Sequence, residues 1–198
     1  MFFPLTFRRR SLLIFSGGLL ASWPTLSAGK PESPFPPVVE LRGMALLCNG
    51  KGTRTRATLR VYDMALYTSQ RVKTSEDLLA LRGPKALRFE ALRTLSGTEL
   101  GVLLIKGMEN NNSPDKMQRH AAATTHLIGI FSARSQLKPH EEFAMEFVPG
   151  KGTQFYIGQQ AQSEPIGDAE FFEMILRIWF GPASVDPRLR DELLGVDN

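Results

Sequence analysis

Arg54, Arg56, Arg60 and Tyr62 fall at even positions within the run Gly50 to Thr68. Side chains on an extended strand alternate between faces. Read as one strand, this run sends Arg54, Arg56, Thr58, Arg60 and Tyr62 to one face and Ala57, Leu59 and Val61 to the other. A guanidinium keeps its charge near neutral pH and presents a planar fork of donors that suits a carboxylate. A phenol one or two strand positions away adds a single hydrogen bond. Two readings are open. The arginines line a solvated sheet face, their usual place, or they clamp an anion at the mouth of an apolar cleft.

Other chemistries find less support. His120, His126 and His140 are the only histidines, and on a helix positions 120 and 126 lie about 240° apart, so they share no face. With a single cysteine and no close Asp or Glu cluster, neither a metal nor a cofactor is expected. There is no G-x-S-x-G elbow and no phosphate loop. Gly50-x-Gly52 and Gly150-x-Gly152 read as hairpin turns, because strands and not helices follow them. Cys48 reads as a buried strand residue, and Asn110–Asn112 as an interhelical loop.

These groups need a scaffold, and the chain's start must be set apart from it. Arg8–Arg10, the apolar run Leu12 to Leu20 and the small residues up to Ala28 have the layout of a secretory signal peptide. Residues 1–28 are therefore expected to be removed, leaving an exported, periplasmic protein with no stable membrane span; Sec and twin-arginine export both remain open. The chain carries 24 basic and 20 acidic residues, and the segment 1–28 takes away three arginines and no acid. The remaining near-neutral balance leaves no basic footprint for nucleic acid. One cysteine in an exported chain means no internal disulfide. About 170 residues suffice for one domain with a sizeable core.

A proline-rich leader, 29–37, is expected to be extended and partly disordered, with a single domain over 38–196. Val38 to Cys48 reads as a first strand, Asn49–Gly52 as a turn, and Thr53 to Thr68 as a long second strand. Ser75 to Leu81 reads as a short helix and Lys85 to Arg93 as a strand. A helix opening at Ser96 or Gly97 carries Leu100, Leu103, Leu104 and Met108 at helical spacing. Ser113-Pro114 opens another, with a stripe of Met117, Ala121, Thr124, Ile128 and Phe131. Glu141–Val148 and Thr153–Gln159 form a hairpin around Pro149–Gly152. Asp168 caps an apolar helix through Trp179, and Asp186-Pro187 starts a last one. Strands flanking a block of helices indicate an α+β fold, an antiparallel sheet covered on one face by helices.

The run Gly50–Thr68, the block Pro149-Gly150-Lys151-Gly152-Thr153 and the segment Pro165-Ile166-Gly167-Asp168 through Ile178-Trp179-Phe180-Gly181 together resemble the bacterial chalcone isomerase-like family. The resemblance spans about residues 38–196. It implies an open-faced β-sandwich, a large antiparallel sheet backed by a layer of helices, with a ligand cleft between them. It also implies that an arginine shortly after the Gly-x-Gly pair, here Arg54, and a tyrosine within Arg60-Val61-Tyr62-Asp63-Met64, here Tyr62, serve the ligand. Arg56 is the alternative arginine, because Arg54 and Tyr62 are closer in sequence than in the relatives. Matching Leu95-Ser96-Gly97 to the start of the enzymes' catalytic helix puts Leu100 and Gly107 where the isomerases carry a tyrosine and an asparagine. The expected function is binding of a small apolar carboxylate of the fatty-acid kind. The alternatives are a chalcone isomerase-type intramolecular lyase acting on an unsaturated ketone, or a structural module with no ligand.

Overall fold

The computed structural model describes residues 34–196. The expected signal segment and the first part of the leader lie outside the described residues. Seven strands form one antiparallel sheet in the order β1-β2-β3-β4-β7-β8-β9. They are β1 Val38–Leu41, β2 Met44–Arg56, β3 Leu59–Thr68, β4 Lys85–Ala91, β7 Glu142–Val148, β8 Gly152–Ile157 and β9 Gln160–Ala161. The short strands β5 Leu95–Ser96 and β6 Gln136–Leu137 pair separately. The helices are α1 Ser75–Ala80, α2 Gly97–Glu109, α3 Pro114–Arg119, α4 Ala121–Ser132, α5 Ala169–Phe180 and α6 Pro187–Leu193.

The α+β layering is as expected. The main core lies between one sheet face and the helices, joining Met64, Leu87, Phe89 and Met145 to Phe171, Ile175 and Ile178 of α5. The second face carries a smaller cluster, Leu41, Leu46, Ala65, Tyr67 and Ala86, beneath Phe35. The end of the leader is thus held against the sheet. Tyr67 donates its hydroxyl to the Pro36 carbonyl (2.9 Å), and the Cys48 amide donates to Pro37 (2.9 Å).

The N-terminal strands depart from the sequence reading. The chain turns at Arg42-Gly43, both at positive φ, and so ends β1 early. Asn49 to Gly52 is no turn and lies within β2. Its glycines are required by the last helix: a Cβ at Gly50 would collide with the carbonyls of Glu192 and Leu193, and one at Gly52 with the Glu192 side chain. Asn49 is the extra residue of a β-bulge between Cys48 and Gly50. The reversal comes later, at Ala57-Thr58, with Ala57 at φ 54°. That turn and an irregularity in the pairing beyond it each shift the alternation, so Leu59 and Tyr62, expected on opposite faces, line the same cavity, with Tyr62 buried and Leu59 exposed.

The helix expected from Ser113 onward is two helices. His120, at φ −102° and ψ 17°, breaks the run between α3 and α4. The break shifts the phase of the apolar stripe, and Thr124, Leu127, Ile130 and Phe131 are the buried residues of α4.

Candidate functional site

Arg54 of β2 and Tyr62 of β3 are directly opposed across the hairpin. Opposed side chains on one face of an antiparallel pair have Cβ atoms about 5 Å apart. A second bulge follows, in which Val61 is passed over between the pairs Arg54–Tyr62 and Thr55–Arg60. Bulges re-aim side chains and raise local twist. Here Val61 and Tyr62 both line one cavity, with Arg54 and Arg56. The three expected ligand residues are therefore brought together, by a hairpin and not by a single strand. Arg60 is not with them; it pairs on the exposed side with Asp63 at 3.3 Å.

The cavity has a volume of about 550 Å³, within the usual range of small-molecule sites. Its walls are mainly apolar: Leu100 and Leu104 of α2, Phe131 of α4, Phe143 of β7 and Ile178 of α5. An aromatic cluster runs along the sheet side. Phe89 stacks on Phe143 with ring centres 4.2 Å apart and meets Tyr62 edge-on at 5.6 Å. Trp179 leans on Phe89 at 5.4 Å.

Polar groups also enter this lining, with Tyr62 and Arg54 opposed on the hairpin. Trp179 donates its Nε1–H to the Tyr62 hydroxyl oxygen at 2.9 Å, a buried bond between α5 and the sheet. The phenol's own proton has no acceptor among the described residues. Burial pushes the phenol up to about 12, against the pull of the Trp179 bond and the Arg54 charge, so it stays protonated and remains a donor.

Arg54 is 22% exposed along its side chain and leans against α6. Its Nη1 donates to Asp186 Oδ2 at 3.0 Å and also to the Thr55 carbonyl. Asp186 is the N-cap of α6; its Oδ1 accepts from the Leu189 amide at 3.2 Å, while Oδ2 accepts from the Thr55 amide at 3.4 Å as well. A guanidinium has five N–H donors. With Nη1 engaged, Nε and Nη2 have no protein partner among the described residues. Arg56 is exposed and makes no ion pair among them.

Sequence reasoning placed Trp179 and Asp186 on their helices but missed what they do. Trp179 fixes the Tyr62 oxygen, and Asp186 holds the Arg54 fork. The N-cap pattern Asp186-Pro187 was a signal for the second, since a capping carboxylate uses one oxygen locally and can offer the other elsewhere. Leu100 lines the cavity, whereas Gly107 lies against Ile178, where an added Cβ would sit 2.9 Å from Cγ2. Neither position supplies a side-chain proton or hydrogen bond. No cluster of three or more His, Cys, Asp or Glu able to hold a metal ion occurs among the described residues. No helix among them is long and apolar enough to cross a membrane.

Residues 31–195 match the family model described as chalcone isomerase-like. Among solved structures, a fatty-acid binding protein of Arabidopsis thaliana superposes with a TM-score of 0.62 at 13% identity, covering 81% of this chain and 90% of that one. Likeness at that identity speaks for the fold alone. No curated protein matches the sequence.

Proposed function

The chain belongs to the chalcone isomerase-like family, and from that premise we propose that it binds a small apolar carboxylate of the fatty-acid kind in the cavity between sheet and helices. Donors without a protein partner among the described residues, Nε and Nη2 of Arg54 and the hydroxyl of Tyr62, at the wall of a mainly apolar cavity carry this reading. A carboxylate accepts two parallel N–H bonds from a guanidinium and a third bond from a neutral phenol. Arg56, at the same cavity, adds positive charge. The tail lies between Leu100 and Leu104 on one side and Phe143 and Ile178 on the other. The structural neighbour from Arabidopsis thaliana is a fatty-acid binding protein, which agrees with this choice of ligand.

Each methylene buried contributes about 0.8 kcal/mol, so affinity rises with chain length until the cavity is full. Titration of purified protein with a fatty acid and with the alcohol of equal length tests the reading. Arg54→Ala is expected to weaken the acid by about tenfold or more, the value of a charged hydrogen bond, and to leave the alcohol nearly unchanged. Equal losses for both ligands refute the clamp. We also propose export to the periplasm, on the pattern of Arg8–Arg10, the apolar run and Ala28. N-terminal sequencing of the protein recovered from the periplasm is expected to begin at Gly29.

A further inference from the structure

We propose that the mouth of this cavity is a docking surface for an anionic lipid bilayer. Leu59, Val102 and Leu103 are 55%, 57% and 54% exposed. Leu59 comes from the start of β3 at the hairpin tip and Leu103 from α2, and both line the cavity; Val102 precedes Leu103 on the helix. A lone exposed leucine is ordinary. Leu59 and Leu103 come from two elements remote in sequence and meet at one mainly apolar cavity, with Val102 exposed beside Leu103.

Charge at the same opening selects the partner. Arg56 and Arg93 line the cavity, and both are exposed. Neither has an ion-pair or hydrogen-bond partner among the described residues. Among the described residues, Glu99 is the one acidic side chain lining the cavity. Aliphatic groups flanked by unpaired guanidinium groups match the boundary between phosphate headgroups and acyl chains: the arginines meet lipid phosphates, and the leucines and valine enter the hydrocarbon edge. An apolar ligand then passes between bilayer and cavity without crossing water. That last step rests on the proposed function, whereas docking does not.

A second set of exposed apolar side chains, Val38, Met44 and Leu47 on the paired strands β1 and β2, does not line this cavity and serves as the internal control. Flotation of the intact protein with phosphatidylglycerol-containing vesicles, and with vesicles of phosphatidylcholine alone, tests the proposal. Binding to the anionic vesicles is expected, falling with salt. Losses of about fivefold for each of Arg56→Ser and Arg93→Ser follow from the attraction of one surface cation to such a membrane. Leu59→Ser/Leu103→Ser is expected to lose at least as much as the pair of arginine changes, and Val38→Ser/Leu47→Ser to behave as the wild type. Equal flotation of the wild type and the mouth variants overturns the proposal, as does an equal loss in the control. Circular dichroism melting confirms that each variant is folded. A protein that floats but binds no fatty acid refutes the ligand reading and leaves docking standing; the reverse result refutes docking alone.

Discussion

The two halves of α2 are packed differently. At its C-terminal end the helix is pressed onto α5: Gly107 leaves no room for a Cβ beside Ile178, and Asn111 and Asn112 fasten the join. The Asn111 side-chain amide donates to the carbonyls of Gly107 (2.9 Å) and Ala183 (3.1 Å), and its oxygen accepts from the Ala183 amide (2.8 Å). Asn112 donates to Met108 (2.8 Å) and Met174 (3.2 Å). At its N-terminal end α2 rests on α4, where a Cβ at Gly97 would strike the Phe131 and Arg134 carbonyls. Between that end and the sheet, Leu100 and Leu104 face open space. Against its neighbouring helices α2 is glycine-tight at both ends, and only the face that its N-terminal half turns toward the sheet is greasy and underfilled. The cavity follows from where the small and amide residues sit, not from a shortage of large apolar ones.

Substitutions can break or sharpen this contrast. Trp179→Ala should do most damage, about 3–5 kcal/mol, the usual cost of emptying a buried aromatic site. It also removes the donor that fixes the Tyr62 oxygen, so fatty-acid affinity should fall with the urea midpoint. Gly107→Val attacks the tight end by overpacking, at about 1–3 kcal/mol. In a domain of this size each kcal/mol lowers the melting temperature by about 2–4 °C, which differential scanning calorimetry reads directly. Leu100→Trp attacks the open end. Stability should change by less than about 1.5 kcal/mol because space is available, yet titration should show ligand binding lost. If Leu100→Trp unfolds the protein as Gly107→Val does, the two ends do not differ.

Alkaline pH probes the same wall. The unfolded Tyr62 phenol ionises near 10 and the folded one near 12. Between those values the folded chain holds a proton that the unfolded chain has lost, so stability falls as pH rises through the window and is intact below it. Tyr67 is shifted the same way, also by burial. Tyr62→Phe should therefore make the decline shallower without abolishing it, in urea titrations carried out on either side of about pH 10. The smallest effect is expected from Asp186→Asn. Asparagine still caps α6 but loosens its hold on Arg54, and carboxylate affinity should rise a few-fold.

Much of this was legible in the chain. The caps Ser96, Ser113, Asp168 and Asp186 each accept the expected amide bond. The Pro149–Gly152 hairpin and the helical spacing of Leu100 and Leu104 also hold, because such signals are local. What was misread depended on distant partners. Gly50 and Gly52 suggested a turn, but they make room for a helix more than a hundred residues later. Ala57-Thr58 has no glycine or asparagine to announce a reversal, so the alternation was continued through it. Arg54, Arg56 and Tyr62 nevertheless share one cavity, since a hairpin places opposed residues on a common face just as a single strand does for residues two apart. The tie of Trp179 to Tyr62 carries no local signature, and the Asp186-Pro187 cap marks a spare carboxylate oxygen without naming Arg54 as its partner.

Asn49 ties the beginning of the domain to its end. Its amide nitrogen donates to the carbonyls of Val72 (3.0 Å) and Leu193 (2.8 Å), the latter 144 positions away, and its oxygen accepts from the Val72 amide (2.7 Å). Arg54 and Asp186 add a second clasp across 132 positions. Closing loops of that length delays the contacts that reward them. A growing chain therefore cannot seat α6 over Gly50 and Gly52 until the residues up to Leu193 have been synthesised. Until then the hairpin that carries Arg54 and Tyr62 is left uncapped.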